Sequence, residues 1–296
     1  ELRDMYLEGR EGVSPFMASA WFPAAPQGQI SIHYKIKGYS KTIVSDRASA
    51  LMAIAYGAKN LNDGKNDFIL AGGMEAPVSP YGLLCCNTSG ILTKRNDEAE
   101  TAYRPFDKTR DGMAIAEGAG VLILETEERA KKRGVPINGY IVGYGTTTDG
   151  VDRIEPAADG FELSRAISMA LKDAALDPAQ IDYICADGVA TPIGDISETR
   201  GIKKAFGAHA KKIPVSAPKS IFGNMLGACG AVDVATTLLA MEHSFAPPTI
   251  NLHTPDPECD LDYCPNKAQA KEIKNALVIN RGRGGINCVL VLQKGN

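Results

Sequence analysis

Residue types able to do chemistry are sparse in this chain, and the most telling stretch is "SDRASALMAI" (45–54). It follows a short β-branched run at 41–45 and opens a helix-forming run at 48–60, after which an apolar run at 68–71 is closed by Gly72-Gly73. The pattern predicts strand, sharp turn, helix and second strand. Such an elbow suits a Ser or Cys nucleophile, because the helix N-terminus lowers a thiol's pKa and free backbone N–H groups can hold a developing oxyanion. This elbow carries Arg47, which can do neither. Ser45 and Ser49 flank it without a base in view. Cys85 and Cys86 follow "SPYGLL" and Cys229 lies among glycines; none is at an elbow, and all three read as buried structural thiols. His33, His209, His243 and His253 show no metal-ligand spacing.

The elements that must position these residues alternate between strand and helix signals, which predicts an α/β layered architecture. "GAGVLILETEE" (118–128) reads as a strand running into a helix that ends at Lys132-Arg133-Gly134, and "NGYIVGYGTTTDG" as a further strand and turn. From Phe161 a helix carries Leu163, Ile167, Ala170 and Leu171 at helical spacing. "IDYICADG" and "KIPVSAPKS" are predicted strands, "ISETRGIKKAFG" and "GACGAVDVATTLLAMEHS" helices, and "NALVINRGRGGINCVLVLQK" two strands around a glycine turn. The repeated arrangement indicates an internal duplication within one compact domain.

With 296 residues, 44% apolar and 23% charged, the chain is of ordinary globular composition. A net charge of -3 with scattered Lys and Arg argues against nucleic acid or an anionic membrane as partner, and "RGRGG" (281–285) lies between two strand-like runs rather than in an RNA-binding tail. No apolar run reaches the roughly 18 residues of a membrane-spanning helix. Seven unpaired-looking cysteines and no secretory signal predict a cytoplasmic protein with free thiols. The first residues, "ELRDMYLEGREG", read as the middle of a helix, so the chain is expected to begin inside a larger polypeptide.

Several long motifs carry a resemblance: "PQGQISIHYKIKGYSKTIV" (26–44), "RPFDKTRDGMAIAEGAGVLILE" (104–125), "PKSIFGNMLGACGAVD" (218–233) and "APPTINLHTPDPECDLDYCPN" (246–266). Together they resemble the β-ketoacyl synthase family over essentially the whole chain. The resemblance implies an α/β thiolase-like five-layer αβαβα fold of two duplicated halves with its N-terminal part missing. Residues 1–155 are then the remainder of the N-terminal ketosynthase-like half and residues 156–296 the C-terminal half.

An active member of that family uses one Cys and two His residues, the thiolate accepting an acyl chain and the histidines supporting decarboxylation and the enolate oxygen. Matching the motifs puts Arg47 at the Cys position, Asp187 of "DGVATPIGD" at the first His and Asn224 of "KSIFGN" at the second, with Lys219 retained. Loss at all three positions resembles the chain length factors, the KSβ subunits of type II polyketide synthases, as do Asp46-Arg47, "VDVATTLLAM" and "NRGRGGIN". Those relatives often carry Gln at the elbow, and "PPTINLHTPDPECDLDY" is closer to an active synthase, so a divergent subgroup is indicated. The expected partners are an active ketosynthase subunit, in a heterodimer or a higher assembly, an acyl carrier protein, and the missing N-terminal segment. No cofactor of its own is implied; phosphopantetheine arrives on the carrier protein.

From the same resemblance, Arg47 and Asp187 should meet as a buried ion pair with Asn224 hydrogen-bonded nearby; the alternative is that Arg47 binds a carboxylate or the phosphopantetheine phosphate. Leu2, Met5 and Tyr6, which share one helical face, and Tyr81 and Leu83 of "SPYGLL" are candidates for the end of a polyketide tunnel between subunits, ordinary interface core being the alternative. Two rival functions stay open: a divergent ketosynthase or malonyl-carrier-protein decarboxylase using Lys219 and Asn224 without Cys, and a purely structural partner of a ketosynthase.

Overall fold

The computed structural model describes residues 2–16, 22–64 and 66–295. They group into two compact units, 1–44 and 45–296. The first holds helices α1 (Leu2–Glu8) and α2 (Ala25–Tyr34), and none of its described residues is buried.

The second unit contains α3 (Ser49–Asn62), β1 (Phe68–Glu75), α4 (Pro80–Thr88), β2 (Gly118–Glu125), α5 (Glu127–Arg133), β3 (Gly139–Thr148) and α6 (Phe161–Asp173). After these come β4 (Tyr183–Cys185), α7 (Pro192–Phe206), β5 (Val215–Ser216), α8 (Lys219–Phe222) and α9 (Cys229–His243). The chain closes with β6 (Phe245–Ala246), β7 (Gln269–Ala270), β8 (Asn275–Gly282) and β9 (Ile286–Lys294). A five-stranded sheet runs β3-β9-β8-β4-β5; its β8, β4 and β5 are parallel, whereas β9 is antiparallel to both of its neighbours. A separate antiparallel pair joins β1 to β2.

Layering follows from which faces are apolar. Leu163, Ile167 and Ala170 of α6 and Ile202 of α7 pack on one face of the large sheet with Leu277, Ile279, Val289 and Val291. Its other face, through Val278, Cys288 and Leu290, packs on Leu51 and Ile54 of α3 and Val234 of α9, which also meet Ile69, Ala71, Leu122 and Leu124 on the inner face of the β1–β2 pair. The order is therefore helix, sheet, helix, sheet, with α3 and α9 in the middle. A helix buried between two sheets has to be apolar nearly all round, which is why "SALMAIA" and "AVDVATTLLAM" carry so few charges.

Contact between α6 and β3 is close enough to require glycine at Gly145, where a Cβ would stand 2.0 Å from the backbone oxygen of Ala166. The predicted strand at 41–45 does not form. A β-branched run becomes a strand only when a neighbour accepts its ladder bonds, and among the described residues only the isolated bridge between Ser45 and Arg47 is made there. Cys85 corrects the reading of the thiols: it is exposed, while Cys86 and Cys229 are buried, because "SPYGLL" starts a helix with a mostly open face.

Candidate functional site

The carboxyl ends of the parallel strands β4, β5 and β8 lie side by side; Arg281 stands at the end of β8, and the segments that leave the three strands carry Asp187, Lys219 and Arg283. In open α/β sheets ligands gather at this end. The turn that precedes α3 brings Arg47 to the same place, since Arg47, Asp187, Arg281 and Arg283 line one cleft.

The elbow is built by Asp46 and Ser49. Asp46 adopts a left-handed backbone (φ 51°), which a short polar side chain tolerates better than a branched one. Ser49 Oγ accepts the Ser45 N–H at 2.8 Å and donates to the Asp46 carbonyl at 2.7 Å, locking the turn. Arg47 is 7% exposed. Its contact is not the expected pair with Asp187: one terminal nitrogen reaches Asp46 Oδ2 at 3.3 Å, and that carboxylate also accepts the Arg283 backbone N–H at 2.8 Å. Burial opposes the charge on Arg47, but the carboxylates of Asp187 and Asp46 outweigh it and hold its pKa above the ordinary arginine value.

Asp187 faces Lys219 instead, with Oδ1 3.7 Å from Nζ. Lys219 is fully buried and lies 2.6 Å from Asp233 Oδ2, which also accepts from Asn280 at 2.7 Å. A single ammonium ion thus sits between two buried carboxylates. Burial would discharge it; Asp233 first and then Asp187 keep it protonated, well above the usual lysine range. Lys219, the first residue of α8, is thus the cation nearest the Asp187 carboxylate, as an ion pair without a hydrogen bond, in the place where Arg47 was expected.

Asn224 completes the floor. Its Nδ2 donates to Tyr103 Oη at 3.3 Å, and its Oδ1 accepts the Leu226 N–H at 3.0 Å and the Cys229 thiol at 3.4 Å. Tyr103 in turn donates to the Gly188 carbonyl at 2.9 Å, so Asn224 is tied to the Asp187 loop through a phenol. Glu198 grips that loop by accepting the N–H groups of Asp187 and Gly188 at 2.7 and 2.9 Å. Burial, and then the adjacent Asp187, push Glu198 up to about 7 against those two donors. Asp195 fixes the loop's far end through the N–H groups of Ala190 and Phe106 and an ion pair with Arg110 at 3.3 Å.

The three matched positions Arg47, Asp187 and Asn224 are therefore brought into one neighbourhood with Lys219, whereas Tyr103, Asp233 and Glu198, which hold them, were missed by the sequence reading. Only Glu198 on the predicted helix "ISETRGIKKAFG", with Asp195 just before it and three residues away, offers a signal. Chemically, the cluster offers cations and hydrogen-bond donors. Burial pushes the Cys229 thiol up to about 12, so it is not a ready thiolate. Met5, Tyr6, Tyr81 and Leu83 are exposed on α1 and α4, and the side chain of Leu2 lies outside the described set. No helix among the described residues is long and apolar enough to cross a membrane.

Comparison with known proteins gives a consistent result. Residues 2–130 match the family model for the beta-ketoacyl synthase N-terminal domain and residues 138–253 that for its C-terminal domain. A 3-oxoacyl-(acyl-carrier-protein) synthase 2 of Staphylococcus aureus is 40% identical over 287 residues, 97% of this chain and 69% of the relative. Among solved structures, a type II PKS acyl-carrier protein in complex with its ketosynthase bound to the hexaketide matches with a TM-score of 0.94 at 34% identity, over 97% of this chain and 71% of the other. The ishigamide ketosynthase/chain length factor matches with a TM-score of 0.91 at 31% identity, over 99% and 70%.

Proposed function

Because the chain belongs to the β-ketoacyl synthase family and has its thiolase-like fold, we propose that it is a catalytically silent subunit of the chain-length-factor kind, which pairs with an active ketosynthase and shapes the space into which a polyketide grows. The observation that supports this reading is the buried triplet Asp187–Lys219–Asp233 beside Arg47: the position of the acyl-accepting thiolate holds a guanidinium, and the first histidine's position holds a carboxylate already engaged by a lysine. Neither arrangement can accept an acyl group or donate a proton from an imidazole. Carrier-protein and ketosynthase partners agree with the two structural neighbours, one a carrier protein in complex with its ketosynthase and the other a ketosynthase/chain length factor. In this role Met5 and Tyr6 of α1 and, separately, Tyr81 and Leu83 of α4 are the candidates for side chains that block further extension sterically, each being exposed.

The test is to incubate malonyl-loaded carrier protein with this chain alone, with a ketosynthase from the same gene cluster alone, and with both copurified, reading the carrier-bound products by mass spectrometry. Chains of defined length only in the combined sample are expected, and Tyr6→Ala or Tyr81→Ala in that sample should lengthen them. Condensation or decarboxylation by this chain alone would refute the proposal. One observation favours the second reading, a divergent synthase or decarboxylase: identity is higher to the relative named a synthase, 40%, than to the ketosynthase/chain length factor, 31%. Under that reading Lys219 and Asn224 act without Cys, and acetyl-carrier protein released by the chain alone is its signature.

A further inference from the structure

We propose that Glu198 and Asp187 form a proton-sharing carboxyl pair, in which a protonated Glu198 donates to the carboxylate of Asp187 and latches the 187–188 loop. Glu198 is 1% exposed on α7, and its two oxygens accept the N–H groups of Asp187 and Gly188 at 2.7 and 2.9 Å. Both contacts hold it against the residue whose carboxylate it has to tolerate. Asp187 is itself buried, and its Oδ1 has no hydrogen-bond partner; Lys219 Nζ stands 3.7 Å away, an ion pair without a hydrogen bond. An ionised Glu198 has no donor to offer that oxygen. A protonated carboxyl group has one O–H donor and keeps acceptor capacity for the two N–H groups. One proton therefore satisfies the orphaned oxygen and removes the repulsion between two adjacent buried anions.

The surrounding charges leave nothing over for an ionised Glu198. Arg47, Arg283 and Lys219 are matched by Asp46, Asp187 and Asp233. From β8, Arg281 is the cation that faces Glu198, and it is spent on Asp149, Asn287 and Ser197. One turn back on α7, Asp195 takes Arg110, which also serves Asp256. The phenols of Tyr263 and Tyr103 complete the surroundings, the first hydrogen-bonded to Thr199 and the second to the Gly188 carbonyl. Among the described residues no ion pair reaches Glu198, and burial, followed by Asp187, pushes it up to about 7.

The sign of the response follows. Below about pH 4.5 the proton is held and the loop with it; as pH rises to about 7 the proton leaves, and a second anion abuts Asp187. Asp187 lines the cleft, and the Gly188 carbonyl receives the Tyr103 hydroxyl that Asn224 also contacts, so release of the loop loosens that wall. The latch is independent of the function proposed above, because both carboxyl groups are buried in a silent subunit and in a divergent enzyme alike.

Nuclear magnetic resonance of the full chain, labelled at the glutamate carboxyl carbon and at backbone nitrogen, tests the pair. The Glu198 carboxyl resonance is expected to titrate with a midpoint of about 7, together with the N–H groups of Asp187 and Gly188; exposed glutamates titrate at about 4.3. Asp187→Asn removes the neighbouring anion and should lower the proton affinity of Glu198 about tenfold. Above the midpoint the Asp187 and Gly188 N–H groups should exchange with deuterium faster than the rise in hydroxide alone prescribes. A Glu198 midpoint below about 5, an unmoved midpoint in Asp187→Asn, or exchange that follows hydroxide alone overturns the proposal. Titration and exchange of the unmodified chain decide even where the variant fails to fold.

Discussion

At the scale of single residues, the site is governed by charges that cannot reach water. Lys219→Met removes the ion that two buried carboxylates share and should cost about 3–5 kcal/mol; chemical denaturation measures it. Replacing Asp233 with Leu in the same chain should recover part of that loss, since an apolar pair of similar volume avoids the desolvation penalty. Glu198 supplies the pH dependence. Its folded pKa of about 7 lies above its ordinary 4.5, so the folded chain binds this proton more tightly than the unfolded chain does. The stability it contributes is complete below about pH 4.5 and is lost as pH rises to about 7, amounting to about 3 kcal/mol at most. Asp195, pushed up to about 6 by burial despite Arg110, adds the same sign at lower pH. Glu198→Gln should therefore flatten melting temperature against pH between about 4.5 and 7, even though the variant is less stable throughout for want of one acceptor.

At the scale of elements, glycines set how closely layers approach. Gly145→Ala forces a methyl group into the Ala166 carbonyl and should cost about 1–3 kcal/mol. Gly160→Ala should cost more, because that residue has φ 63° at the start of α6 and its Cβ would stand 2.2 Å from the Ser197 oxygen; thermal denaturation of the two variants ranks them. Much of this architecture was legible beforehand. The helical spacing of Leu163, Ile167 and Leu171 marks α6 because those residues face one sheet, and "NRGRGG" marks the β8–β9 turn because glycine supplies its positive φ. Lys219 and Asn224 were identified from a motif. What stayed hidden were long-range facts: a run at 41–45 carries strand propensity but no word on whether a neighbour exists, and nothing in "TAYRPFD" says that the Tyr103 hydroxyl will bridge Gly188 and Asn224, 85 and 121 positions away.

At the scale of the whole molecule, the outward face of the β1–β2 pair is apolar and open: Phe68, Met74, Val121 and Ile123 are all exposed, Ile123 by 67%. Contiguous apolar area of this kind promotes association. The chain expressed by itself should self-associate with rising concentration, and Ile123→Lys should reduce that in light scattering without altering the melting temperature by more than about a degree, as expected for an exposed position. Lys219 has a consequence of a different sort. An amine that never meets solvent is invisible to acylating reagents, which will label the surface lysines within minutes. The tag reaches Lys219 only when the layers around it part, so the slow appearance of that one modified peptide in a mass map is a clock for the opening of the 45–296 unit.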